Sequence, residues 1–265
     1  MTKQRLNNKK KSSLKMGVLF LASLTFLLTV SIVLKSVDTV RKSTFDGKNR
    51  YIASITREKD ILALSFLPSE GKAAVLKIIE SQSPNLGRDF GIPVDAEVSN
   101  LGSQDDGIKT NLKKILFTYP RVKTNMTILD AIRLNFYAFS LSEGSIDKNS
   151  IYSTDKKIDL VAIHFSDDPQ IVNEKKTIEV INATGEEGLA TRLSRVLTNM
   201  GANVVLLKNS KQISKKSFIT YTNNEGYTLK RLATFLGLEK EKTDKTQIAD
   251  IVITLGRDCL KSDKF

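Results

Sequence analysis

The chain lacks tryptophan and has one cysteine, Cys259, and one histidine, His164. A single cysteine allows no intrachain disulfide. One Cys with one His cannot supply a zinc site of the usual ligand types, so neither a metal nor another cofactor is expected. His164 sits in an apolar run, LVAIHF, where a structural histidine fits better than a catalytic one. Acid is missing from the first fifteen residues, which hold Lys3, Arg5, Lys9, Lys10, Lys11 and Lys15. These six cations are half of the net charge of +12. Without them, 35 of the 41 basic residues face 29 acidic ones. The folded part therefore carries no general basic surface, and no nucleic-acid partner is expected.

Charge is also missing from GVLFLASLTFLLTVSIVL, Gly17 to Leu34. Eighteen helical residues span roughly 27 Å, close to a bilayer's hydrocarbon thickness. A cleaved signal peptide has a shorter apolar core and a small-residue cleavage site, and neither is present. No cysteine lies directly behind the segment to take a lipid. The expectation is an uncleaved signal-anchor in the cell membrane, crossing once. The basic flank keeps the N-terminus cytoplasmic and puts residues after about 35 outside.

The chain divides by pattern. Residues 1–15 are a basic tail, 16–35 the transmembrane helix and 36–50 a polar spacer. In a central region, 51–165, ILALSFLP and KAAVLKII flank Ser69-Glu70-Gly71 and predict a β-hairpin. A helix is expected from an N-cap at Thr127, with Leu129, Ile132, Arg133 and Phe136 at helical spacing. Ser150 to Phe165 reads as extended. Ser166-Asp167-Asp168-Pro169 opens a linker, 166–174. From 175 to 258 the order is strand, helix, strand, strand, helix, strand, before a short tail, 259–265. The first helix, Glu187 to Met200, puts Leu189, Leu193, Val196, Leu197 and Met200 on one stripe. The second, Tyr227 to Leu236, does so with Leu229, Leu232, Ala233 and Leu236. The fold class is α+β, an α/β sandwich. It combines a smaller α+β central region with a C-terminal βαββαβ domain of ferredoxin-like type, whose helices cover one face of the sheet.

The turn Asn182-Ala183-Thr184-Gly185-Glu186-Glu187-Gly188 joins a strand to a helix and raises the question of a phosphate cradle. It offers only Gly-x-x-Gly, short of either nucleotide fingerprint. Glu186 and Glu187 at the helix start would repel a phosphate from the amides there. Asn182 is expected to bond the backbone of its own turn.

TIEVINATGEEGLATRLSRVLTNMGANVV, SFITYTNNEGYTLKRLATFLGL and ADIVITLGRD together resemble the C-terminal domain of LytR–CpsA–Psr proteins. The structural motif is Asn182, Thr184, Gly185, Gly188 and Ala190. That resemblance implies a cell-envelope protein with an extracytoplasmic body. In the family this domain is an accessory, and an upstream domain transfers glycopolymers from a polyprenyl-pyrophosphate carrier to peptidoglycan. The central region is similar to that domain in shortened, degenerate form. Lys59-Asp60-Ile61-Leu62-Ala63-Leu64-Ser65 resembles its hairpin, and Gly91-Ile92-Pro93-Val94-Asp95 its G-I-P-I-D. Where the family has P-R-D, this chain has Ile79-Glu80-Ser81, a charge reversal at a diphosphate contact. Relic catalytic candidates are Asp60, matching a metal-binding acid, with Arg88 and Arg121.

The Glu80-Ser81 departure and the short central region point to a non-catalytic envelope protein with a C-terminal binding module linked to cell-wall polymer assembly or attachment. Its partners would be the membrane and cell-wall glycan or other envelope proteins. The alternative is a divergent glycopolymer phosphotransferase, and a further one is an envelope-associated regulator. Candidate binding residues are Arg192 and Arg195, on an outer helix face with Lys230 and Arg231, and Tyr221 and Tyr227, whose rings can stack on a sugar.

Overall fold

The computed structural model describes residues 2–80, 85–102, 105–262 and 264–265, with side chains from residue 16 onward. Ser81 and the side chains of the basic tail lie outside these. The chain forms two compact units, 1–43 and 44–265. The first is one helix, α1 (Thr2–Lys42). Its part from Met16 to Lys42 is long and apolar enough to cross a membrane. The helix runs on to Lys42, through the first part of the segment expected as a spacer. Phe45, read as spacer too, is 2% exposed and belongs to the core of the second unit.

The second unit opens with β1 (Tyr51–Thr56), β2 (Asp60–Leu67), β3 (Lys72–Ile79), α2 (Leu86–Phe90) and β4 (Ala96–Ser99). Then come α3 (Ile108–Thr118), β5 (Lys123–Thr124), α4 (Ile128–Ser140), β6 (Ile146–Tyr152), α5 (Ile158–Ser166) and α6 (Pro169–Glu174). The strands form a mixed sheet in the order β5-β4-β1-β2-β3-β6. The hairpin β2–β3 pairs Asp60 with Ile79 through Leu67 with Lys72. Alternation splits its side chains between two cores. Leu62, Leu64, Phe66 and Val75 meet Leu112, Ile115, Leu134 and Ala138 of α3 and α4. Ile61, Ala63, Leu76 and Ile78 meet Leu86 and Phe90 of α2 and Ile158, Ala162 and Phe165 of α5. Helices thus cover both faces.

Thr127 caps α4 in a reciprocal box with Asp130. The stripe Leu129, Ile132, Phe136 is not the packed one. Ala131, Leu134, Asn135 and Ala138 face the core, and Phe136 is 75% exposed. The strand expected over 150–165 stops at Tyr152. LVAIHF is helical because Ile158, Ala162 and Phe165, at steps of four and three, reach the same core, while His164 is exposed. The expected linker contains α6, capped by Asp168 on the Gln170 amide.

The last part holds β7 (Thr177–Asn182), α7 (Leu189–Asn199), β8 (Asn203–Asn209), β9 (Phe218–Tyr221), α8 (Tyr227–Leu236), β10 (Glu239–Lys242) and β11 (Ile251–Leu255). The expected element order is present, with β10 added between α8 and β11. The sheet order is β10-β9-β11-β7-β8. β7 lies beside β8 and β11 in parallel, whereas β9 runs antiparallel to β11. A ferredoxin-like sheet would insert a strand between β7 and β8. Here β7 and β8 pair directly in parallel and β9 lies beyond β11, so the sheet is mixed. The stripes of α7 and α8 share one core with Ile178, Val180, Ile219, Ile251 and Ile253.

Candidate functional site

Asp60 begins β2, and the turn before it brings Arg57 round: the Arg57 amide donates to the Asp60 carbonyl at 3.0 Å. Arg57 Nη1 lies 3.6 Å from Asp60 Oδ1 and 2.7 Å from Asp106 Oδ1. Lys77, on β3, places Nζ 3.3 Å from Asp60 Oδ2 and 3.0 Å from Asp106 Oδ2. Two acids and two cations balance. The hydrogen bond to Asp106 leads in holding the Lys77 ammonium above its ordinary pKa. Burial pushes the Asp106 carboxyl up, but Arg57 and Lys77 outweigh it and hold it low. Among the described residues no three His, Cys, Asp or Glu side chains gather where a metal ion could sit.

The other relic candidates are elsewhere. Arg88 is on α2, over one face of the sheet, and lies 3.3 Å from its neighbour Asp89. Arg121 is exposed in the turn after α3, which covers the opposite face. Glu80 ends the hairpin exposed, at φ +59°. Asp60 and the two arginines therefore do not build one concave site. The cations beside Asp60 are Arg57 and Lys77, which the family motifs do not single out.

The Asn182 turn is closed on itself. Asn182 Nδ2 donates to the Glu186 carbonyl at 2.6 Å, and Oδ1 accepts from the Thr184 amide and hydroxyl at 3.1 and 2.7 Å. Thr184 Oγ1 accepts from the Glu186 amide at 3.0 Å. Gly185 and Gly188 sit at φ +87° and +81°, in the left-handed region that other residues avoid. Two amides that could have faced an anion are thus spent inside the turn, and Glu186 and Glu187 are exposed beside it. Further on, Ser217 and Gly256 are tied to Asp258, which accepts from the Ser217 amide at 2.9 Å, while the Gly256 amide donates to Ser217 Oγ at 2.8 Å.

The family model described as LytR cell envelope-related transcriptional attenuator matches residues 175–258. These residues form a LytR C-terminal domain. No curated protein matches the chain, and no solved structure does.

The LytR C-terminal domain turns its helix cations toward the central sheet. Arg231, expected on an open face, is 8% exposed and binds Asp95 in a fork, Nη1 to Oδ1 at 2.7 Å and Nη2 to Oδ2 at 2.9 Å. Burial alone would lower the Arg231 pKa, but Asp95 outweighs it and the net shift is upward. Arg195 donates to the Asp89 carbonyl at 3.0 Å and pairs with Asp159. Asn199 donates to the Gly91 carbonyl at 2.9 Å. Arg192 is half-buried, and Lys230 is exposed. The open basic patch of four residues is therefore corrected: Arg195 holds the LytR C-terminal domain against α2 and α5, and Arg231 holds it against the segment that leads into β4.

Neither tyrosine presents an open stacking surface. Tyr221 is 9% exposed in the core, its hydroxyl 3.0 Å from Glu225 Oε1. The Tyr227 hydroxyl donates to Asp168 Oδ2 at 2.6 Å. Burial first, then Asp168, raise its pKa far above the ordinary tyrosine value. Glu174 accepts from the Tyr227 and Thr228 amides at 2.6 and 2.8 Å, capping α8 from the segment read as a linker. Asp95, Asp168, Glu174 and Asn199 escaped the sequence reading. Asp95 and Asp168 carried signals of another kind, as the end of the G-I-P-V-D segment and as part of the turn-forming stretch before Pro169. A cleft of about 200 Å³ opens beside Cys259, lined by Leu236, Leu238, Leu255 and Phe265. Burial raises the Cys259 thiol pKa.

Proposed function

We propose that the protein is a single-pass, membrane-anchored, extracytoplasmic protein of the cell envelope that performs no catalysis. α1 holds it in the membrane with its basic end in the cytoplasm. The central region is a degenerate relative of the glycopolymer transferase it resembles. It serves as the platform on which the LytR C-terminal domain is fixed for binding wall polymer or an envelope protein. The observation that carries the absence of catalysis is the state of Asp60: its carboxylate is committed to Arg57 and Lys77, and Arg88 and Arg121 sit on opposite faces of the sheet.

Orientation is tested in intact cells with Cys259→Ser and Lys230→Cys. A membrane-impermeant maleimide labels this variant if the body is outside; labelling only after permeabilisation overturns that orientation. Wall binding is tested by sedimenting the full-length protein with purified wall material. Arg192→Glu with Lys230→Glu is expected to reduce retention several-fold, and unchanged retention removes this surface.

One observation favours a second reading. Asp60 Oδ1, beside Arg57 and Lys77, accepts no hydrogen bond and so keeps a lone pair for a substrate hydroxyl or a cation. A divergent phosphotransferase would use these groups, and Mg²⁺-dependent turnover lost in Lys77→Ala would establish it.

A further inference from the structure

Three phenylalanines stand out of the packed body on one helix layer: Phe117 is 83%, Phe136 75% and Phe139 48% exposed. α3 and α4 are antiparallel neighbours, since Asn135 Nδ2 donates to the Leu112 carbonyl and Lys109 Nζ to the Leu141 carbonyl, each at 2.9 Å. Lys113 lies over the Phe139 ring at 4.7 Å from its centroid. Phe117 is one turn beyond Lys113, and Phe136 one turn before Phe139, so the rings share one side of the layer. A large exposed apolar patch rimmed by polar groups marks a contact surface.

Charge selects the occupant. Residues 107–142 contain Lys109, Lys113, Lys114, Arg121, Lys123 and Arg133 against one acid, Asp130, which is 1% exposed and turned inward. The excess of five is nearly the whole net charge of the chain outside its first fifteen residues. A second copy of this face would meet like charge and be repelled. A hydrated anionic polymer would satisfy the lysines and leave three phenyl rings in water. Anionic headgroups over hydrocarbon satisfy both.

The chain enters the body at this layer. Thr44 and Phe45 donate their amides to Asp130 Oδ1 at 3.1 and 2.9 Å, and Arg133 Nη1 donates to the Phe45 carbonyl at 3.1 Å. Only Lys35 to Lys42, about 12 Å of helix, separates the uncharged stretch from that junction. The headgroup zone itself takes up roughly 5–7 Å on each side of the bilayer.

We propose that the outer face of α3 and α4, through Phe117, Phe136 and Phe139 and the surrounding lysines, rests on the anionic lipid surface of the membrane that holds α1. Contact there restrains the body beside the bilayer rather than leaving it to swing on its tether.

The full chain with Cys259→Ser and Phe136→Cys, carrying a nitroxide, is reconstituted in phosphatidylglycerol–phosphatidylcholine vesicles. Power saturation compares collisions with oxygen, which concentrates in lipid, and with a water-soluble nickel chelate. Oxygen is expected to dominate at position 136. Lys113→Glu with Lys114→Glu, or vesicles of phosphatidylcholine alone, should return the label to water with a several-fold rise in nickel collisions. A label at exposed Thr234 on α8 should stay aqueous throughout. A label at position 136 as aqueous as that at 234, or shielded equally by soluble polyphosphate in detergent, overturns the proposal. Failure of the protein to float with the vesicles overturns both this proposal and the membrane role of α1. The label at Phe117→Cys repeats the test should Phe136→Cys misfold.

Discussion

Replacing Arg231 by alanine should cost the body more than any change at an exposed arginine. The guanidinium and the Asp95 carboxylate are 7% and 5% exposed as side chains, so water does not compensate for the loss of either partner. Asp95 would keep one bond, from the Ile52 amide at 2.9 Å, for a buried charge that now has two more. Breaking a buried pair in this way costs about 3–5 kcal/mol. The ring of Phe235, 5.8 Å from the Arg231 guanidinium carbon, adds at most about 1 kcal/mol. For a body of this size, about 2–4 °C is lost per kcal/mol, so the midpoint should fall by roughly 6–24 °C. All six tyrosines lie at residue 51 or later, so the near-ultraviolet tyrosine signal of the full-length protein in micelles reports the body and not α1. Asp95→Asn with Arg231→Met removes both charges and keeps an acceptor for Ile52, and should recover most of the loss. A loss within about 1 kcal/mol, as for a surface pair, would refute this reasoning. So would a double variant as unstable as the single one.

Tyr227→Phe should cost about 1.5–3 kcal/mol, the range for a hydrogen bond to a charged group, read by the same tyrosine signal. Gly256→Ala should cost at least about 1–3 kcal/mol in a denaturant titration, because a Cβ there collides with the Lys216 backbone. Burial pushes the Glu174 carboxyl up, but hydrogen bonds from Thr228 and Tyr227 outweigh it and leave the pKa below its ordinary value. A depressed carboxylate contributes stability above its unfolded pKa of about 4.3, and that contribution disappears as pH falls through the folded value. Glu174→Gln should therefore flatten the loss of stability below about pH 5, and an unchanged acid limb would contradict it.

The sequence was most legible where one face of an element decides its structure. The hairpin, the Thr127 cap and α8 come from alternation, capping and a helical stripe read locally. β10, Glu-Lys-Glu-Lys, is exposed throughout and has no apolar alternation to announce it. LVAIHF is a short apolar run, for which strand and helix give the same pattern. Strand order in the LytR C-terminal domain is a matter of which edge of β7 each crossover reaches, and periodicity does not encode that. The arginines were misread for a related reason. Arg195 does lie on the outer side of α7, but that side packs on α2 and α5, and Arg231 of α8 reaches Asp95 in the segment between α2 and β4. The partners that show this, Asp95 and Asp159, are 136 and 36 residues away in the chain. Phe136 shows the converse: its place on an apolar stripe promised burial, and the core took the neighbouring face.

Turnover decides most directly whether the central region does chemistry. Full-length protein in vesicles, given Mg²⁺ and a polyprenyl-pyrophosphate-linked glycan with peptidoglycan acceptor, should release no phosphate and transfer no polymer above a protein-free blank. Asp60→Ala should change nothing. Release or transfer that depends on the protein and vanishes in Asp60→Ala would contradict a non-catalytic envelope protein.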